Sequence, residues 1–170
     1  MVRVSLRDAL VEELITQAEN DLRICVIDCD MAVHTRLQLF FTRYPDRSYQ
    51  NGISEQHAIS FAAGLASCGM IPIVSSFSSF IVTNAWEQIR HSISFNKNNV
   101  KIIGTHAGVS AAEDGGTHQC FEDVGLMRLL PDMIVLAPID CVEAKEMVKF
   151  FWEYNYPFIS ELAAILYHKY

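Results

Sequence analysis

The sequence predicts an α/β fold, a parallel β-sheet flanked by helices on both faces. Three observations carry this. Short apolar, β-branched runs alternate with helical patterns along the chain. The runs are apolar at successive positions, as in RICVID at residues 23–28, which suits strands buried on both faces. The 170 residues are 51% hydrophobic and 19% charged, enough apolar material for a sizeable core. One domain spanning residues 1–170 is expected.

The elements follow in order. Residues 5–20 read as an amphipathic helix, with Leu6, Leu10, Leu14 and Ala18 recurring on one face. A central strand at 23–28 comes next, then a helix at 35–44 that stops before Pro45. Residues 48–50 form a short strand ending at the Asn51-Gly52 turn signal. Ser54 is placed to cap a helix running to about residue 68, and Gly69 to terminate it. A strand at 71–75, a helix at 79–95 and a strand at 100–105 continue the alternation. Residues 104–116 hold four of the eight glycines and read as a long loop. A helix at 119–130, a strand at 133–137, a helix at 140–154 capped by Asp140, and a strand at 157–160 complete the series.

Several classes fall away. The net charge is −7, with no Lys/Arg run, so no nucleic-acid or anionic-membrane footprint exists. The five cysteines (25, 29, 68, 120 and 141) lack metal or disulfide spacing, and Cys25 and Cys29 read as buried hydrophobes, which fits a reducing, cytoplasmic setting. Residues 58–86 carry no charge and are long enough to span a bilayer, but Gly64, Gly69, Pro72 and six serines interrupt them. A buried helix followed by a buried strand explains that stretch better than a membrane span.

In such a sheet, ligands bind at the carboxyl ends of the strands. Most unusual polar residues fall there. Glu55 opens a strongly apolar helix, either as a first-turn acid or as a buried carboxyl that hydrogen-bonds a ligand nitrogen. The loop THAGVSAAEDGGTHQ holds His106, Glu113, Asp114 and His118 among glycines that let the backbone approach a ligand. Its spacing supports no metal site, whereas histidines can bond sugar hydroxyls and shuttle protons. Phe77 and Phe80 suit either core packing or a flat wall for a heteroaromatic ring. His34 lies at a strand–helix junction, and His57, His91 and His168 suggest no role.

The ordered set GISEQHAISFAAGLA, AWEQIR, THAGVSAAEDGGTHQCFED and LLPDMIVLAPID resembles the pyrimidine-binding domain of transketolases over roughly residues 5–160. The likeness is greatest to the separate C-terminal subunit of the split form of that enzyme. It implies the thiamine-diphosphate-binding fold and transfer of a two-carbon ketol unit between sugar phosphates. By the same resemblance, Glu55 hydrogen-bonds N1′ of the cofactor's aminopyrimidine and favours its imino form. Phe77 and Phe80 pack on that ring. His106, Asp114 and His118 contact substrate, with His118 and Glu55 as the catalytic pair. Asp30 matches an aspartate near the cofactor, and Arg7 a substrate-phosphate arginine.

Departures from the family pattern are equally informative. Thr83 stands where a third aromatic is expected, His34 where the family carries a small residue, and the closing ISELAAILYHKY diverges. The Gly-Asp-Gly and Asn motif for diphosphate and Mg²⁺ is not met, since Asp114-Gly115-Gly116 differs and the next Asn is Asn155. Mg²⁺ is therefore expected on a partner chain and no metal on this one. The diphosphate-binding and C-terminal domains are expected outside these residues. The implied assembly is a homodimer, a complex with an N-terminal diphosphate-binding subunit, or both. Two alternatives keep the fold. One is the chemistry of a 1-deoxyxylulose-5-phosphate synthase or a 2-oxoacid dehydrogenase β-type domain, against which EDGGTHQ and AWEQIR favour transketolase. The other is a non-catalytic, truncated partner-binding module.

Overall fold

The structure, a computed structural model, describes residues 3–162 and 166–168. Six strands form one parallel sheet: β2 (Ile24–Asp28), β3 (Ser48–Gln50), β4 (Ile71–Phe77), β5 (Lys101–Thr105), β6 (Ile134–Leu136) and β7 (Phe158–Leu162). Their spatial order is β3-β2-β4-β5-β7-β6. Two short strands, β1 (Arg3–Ser5) and β8 (Leu166–His168), pair antiparallel in a separate ribbon. No local pattern in the sequence marks that ribbon, and residues 163–165 and 169–170 of the divergent closing stretch lie outside the described residues.

Successive strand residues point to opposite faces, and the two cores divide accordingly. Ile24, Val26, Ile73, Ile103 and Phe158 pack against α1 (Leu6–Asn20), α3 (Gln38–Arg43) and α7 (Cys141–Glu153). Ile27, Val74, Ile102 and Ile159 face α4 (Glu55–Ser67), α5 (Ser78–Gln88) and α6 (Asp123–Arg128). Every residue of β2, β4 and β5 is buried, which is why these runs show no polar alternation. The charge-free stretch 58–86 is thus helix, strand and helix inside a sandwich. Among the described residues no helix is long and apolar enough to cross a membrane.

Local chemistry sets the boundaries. Ser5 leaves the first helix to cap it, its Oγ accepting from Asp8 N at 3.1 Å. Asp140 caps α7 through the N–H groups of Val142 and Glu143, as expected. Gly69 ends α4 with φ +87°, a conformation glycine adopts without strain. Ser54, expected as a cap, makes no capping side-chain bond. Its φ/ψ of −158°/71° departs from the extended geometry that aims a hydroxyl at the first turn. The expected helix at 35–44 is two pieces, α2 (Ala32–Thr35) and α3, because Arg36 turns left-handed at φ 69°. The expected helix at 79–95 is α5 followed by a π-helical turn, Ile89–Ser94. The helix expected at 119–130 contracts to α6.

The strand order determines where a ligand crevice opens. From β2 the chain moves outward to β3, and from β4 it moves the opposite way to β5, so the order reverses between β2 and β4. Helices leave these two strands toward opposite faces, and the gap above their carboxyl ends is the switch-point crevice of an open α/β sheet.

At the other end of β5, Lys101 is 0% exposed and its Nζ donates to the carbonyls of Tyr154 and Tyr156 at 3.0 and 2.9 Å. Burial pushes its amine down to about 7, from an ordinary value of 10.5. The unfolded chain therefore binds more protons than the folded one between those values, so stability rises with pH from about 7 toward 10. Thermal unfolding should show that positive slope, up to about 1.4 kcal/mol per pH unit, and Lys101→Met should flatten it.

Candidate active site

Glu55 is the first residue of α4, beside the carboxyl end of β2, and only 6% of it is exposed. Its Oε1 accepts a hydrogen bond from Ser76 Oγ at 3.3 Å, both groups being buried. The buried Cys29 thiol stands near enough that burial first, and then the charges of Glu55 and Asp28, push it up to about 12. One residue beyond Ser76, Phe77 ends β4, and Phe80 follows in the first turn of α5. Their rings lie 5.7 Å apart and within 11° of parallel, a stacked aromatic pair. Phe77 is 3% exposed and belongs to neither core cluster, so it faces the crevice rather than the sheet interior.

Three histidines close on this pair. His106 leaves β5 with φ 58°, left-handed for a non-glycine residue, and its ring centroid lies 3.9 Å from that of Phe77. His118 meets Phe80 edge-on at 5.1 Å and Phe77 at 6.1 Å. His34, the residue without an assignment in sequence, meets the edge of Phe77 at 6.1 Å. Arg7, in the first turn of α1, donates to the carbonyl of His34 and lies 3.2 Å from Nε2 of His106. Burial, and next the neighbouring charge of Arg36, lowers the Arg7 guanidinium from its ordinary value. Asp8, whose charge opposes that lowering, pairs with Arg36 at 3.2 Å.

The structure therefore gathers Arg7, Phe77, Phe80, His106 and His118 around one crevice, with Glu55 one residue away through Ser76. Asp114 ends the 3₁₀ turn Val109–Asp114, exposed, and its charge reaches His106. Asp30 stands apart from the rings. It is exposed, left-handed at φ 65°, and bonded through its backbone N–H to Gln50. The neighbouring Asp28 does the anchoring, accepting from Met31 N and from Gln50 Nε2 at 2.8 Å. Burial raises its carboxyl above the ordinary range. Sequence reasoning passed over Ser76, Thr105 and Asp28 because serine, threonine and aspartate at strand ends are common. The Thr-His pair, repeated at 105–106 and 117–118, was the available signal.

Thr83, at the position of a third aromatic, donates its hydroxyl to the carbonyl of Ser79 in its own helix and is exposed. The aromatic wall is accordingly two rings. A buried carboxyl beside two parallel rings fits a planar, nitrogen-bearing heteroaromatic group. Among the described residues no group of three His, Cys, Asp or Glu side chains is arranged to hold a metal ion.

The family description "Transketolase, pyrimidine binding domain" matches residues 2–164, and the chain belongs to that family. It is 40% identical over 152 residues to a putative transketolase C-terminal section of Methanocaldococcus jannaschii, covering 89% of this chain and 48% of that protein. It is 36% identical over 140 residues to a 6-deoxy-6-sulfo-D-fructose transketolase subunit of a Clostridium species, covering 82% and 44% respectively. Among solved structures, a split-gene transketolase described as an inactive β4 tetramer superposes with a TM-score of 0.85 at 35% identity, covering 98% of this chain and 53% of that one. The chain thus spans about half the length of the relatives it matches.

The His106 imidazole is held down to about 4, first by burial and then by the charge of Arg7. Arg7→Gln should raise it toward, but not to, its ordinary value of 6.5, because burial persists. A proton NMR titration of the His106 ring reads this directly, and an unmoved midpoint would contradict the proximity of the two groups.

Proposed function

We propose that this chain supplies the aminopyrimidine half of a thiamine-diphosphate site that transfers a two-carbon ketol unit between sugar phosphates. The observation that carries the reading is the buried Glu55 carboxyl, held by Ser76 beside the parallel Phe77 and Phe80 rings. When bound, the cofactor supplies the nucleophilic carbon that takes up the ketol unit.

This chain's residues do the rest. Glu55 hydrogen-bonds the pyrimidine nitrogen from a water-poor pocket, where such a bond is worth more than in solvent. Phe77 and Phe80 stack on the ring and fix its plane. His118, half-buried against Phe80, bonds a substrate hydroxyl and moves its proton. His106 and Asp114 line the sugar, and Arg7 takes its anionic end as a charge-assisted partner. Asp30 is assigned to the interface beside the cofactor, consistent with its exposure. The diphosphate and Mg²⁺ belong to a partner chain, an N-terminal diphosphate-binding subunit, with this chain also pairing with its own copy. The similarity to a protein described as a putative transketolase C-terminal section, and to a split-gene transketolase, supports that division.

The test is Glu55→Ala in the complex reconstituted with the diphosphate-binding chain. Ketol transfer between sugar phosphates should fall at least ~10³-fold, the scale of lost transition-state interactions, while gel filtration shows assembly intact. Full turnover by the variant would remove Glu55 from the mechanism. Pyruvate offered as donor distinguishes the deoxyxylulose-phosphate synthase chemistry, for which no turnover is expected.

A further inference from the structure

A single hydrogen-bonded chain crosses the crevice. Ser76, whose Oγ donates to Glu55, accepts Thr105 Oγ1 on its carbonyl at 3.3 Å. Thr105 Oγ1 lies 3.0 Å from His106 Nδ1, and His106 Nε2 lies 3.2 Å from Arg7 Nη1. The directions of these bonds are forced. A guanidinium only donates, so Nε2 of His106 meets it with a lone pair. A neutral imidazole with a bare Nε2 carries its proton on Nδ1. The hydroxyl of Thr105 gives its one proton to the Ser76 carbonyl and receives the Nδ1–H on its oxygen.

We infer that Thr105 is a positioning residue that, together with Arg7 at the opposite ring nitrogen, locks His106 as the neutral Nδ1–H tautomer, with Nε2 presented as an acceptor. The surroundings agree. Facing His106 are Arg7 from α1, His34 from α2, and His118 and Asp114 from the glycine loop. Of these only Asp114 favours the protonated ring, while burial, Arg7 and the two histidines oppose it. Thr105 is itself 0% exposed at the end of β5, so no water competes for its hydroxyl. Thr117 repeats the contact, with Oγ1 2.9 Å from His118 Nδ1, but it is exposed. The two Thr-His pairs therefore differ: His106 is fixed as an acceptor, and His118 keeps both tautomers for proton transfer. The consequence for catalysis rests on the function proposed above, whereas the tautomer itself does not. In the reaction, His106 holds Arg7 or accepts a substrate hydroxyl and does not act as an acid.

The test is long-range proton–nitrogen NMR of the histidine-labelled chain at pH 7. The wild type should show a protonated, pyrrole-type Nδ1 and a bare, pyridine-type Nε2 for His106. Thr105→Val, which keeps the β-branched shape but removes the hydroxyl, leaves the buried Nδ1–H without an acceptor, a cost that opposes the Arg7 contact at Nε2, and should draw the two nitrogen shifts toward each other as tautomers exchange. Thr105→Ser should restore the separated pair, which a merely structural role for Thr105 would not predict. An Nε2–H or averaged ring in the wild type overturns the inference, and so does a Thr105→Val spectrum identical to wild type. Where Thr105→Val does not fold, Thr105→Ala takes its place under the same criteria. A locked His106 in a chain whose complex transfers no ketol group would leave this inference standing and remove the proposed function. An averaged His106 in an active complex would do the reverse.

Discussion

The pairing of β2 with β4 at the centre of the parallel sheet is the constraint from which the site follows. These two strands lie side by side, yet the chain leaves them in opposite directions, so no connection roofs the gap above their ends. Polar groups there escape the apolar cores on either face. Those turned inward must still find partners, because an unpaired buried polar group costs several times what a formed hydrogen bond contributes. Asp28 is satisfied by Met31 and Gln50, Glu55 by Ser76, and Thr105 by the Ser76 carbonyl. Glu55, Ser76 and Thr105 thereby link α4, β4 and β5 at the crevice, rather than standing as independent loop residues.

The polar groups beside the aromatic rings are held largely by hydrogen bonds. The Arg7 guanidinium meets a carbonyl and an imidazole. His106 adopts a left-handed backbone to bring its ring against Phe77, a local strain of order 1–3 kcal/mol that the surrounding packing sustains. A site prepared in this way stays water-poor and presents donors and acceptors in fixed directions, which is what differential stabilisation of a transition state requires.

Much of this was legible in the sequence, for physical reasons that can be named. Buried parallel strands are uniformly apolar, so β2, β4 and β5 declared themselves, and alternation with helices gave the architecture. The strand ends then picked out Glu55, Phe77 and the loop from His106 to His118. What was not legible depends on long-range contact. Arg36 splits a helix because of a left-handed turn that no local pattern marks, and β1 pairs with β8 across nearly the whole chain. His34 gained its place only once α2 was set against β4. Ser76 and Thr105 are ordinary residues until the parallel register brings Ser76 opposite Gly104 and Phe77 opposite Thr105.

On the function proposed above, this chain holds half of a cofactor site whose other half lies on a partner. Calorimetric titration of thiamine diphosphate with Mg²⁺, into this chain alone and then into its complex with the diphosphate-binding chain, tests it most directly. The account predicts weak binding to the chain alone, because nothing there neutralises the diphosphate, and tight saturable binding to the complex. Absence of binding to both would contradict it, leaving a crevice that does not receive the pyrimidine ring.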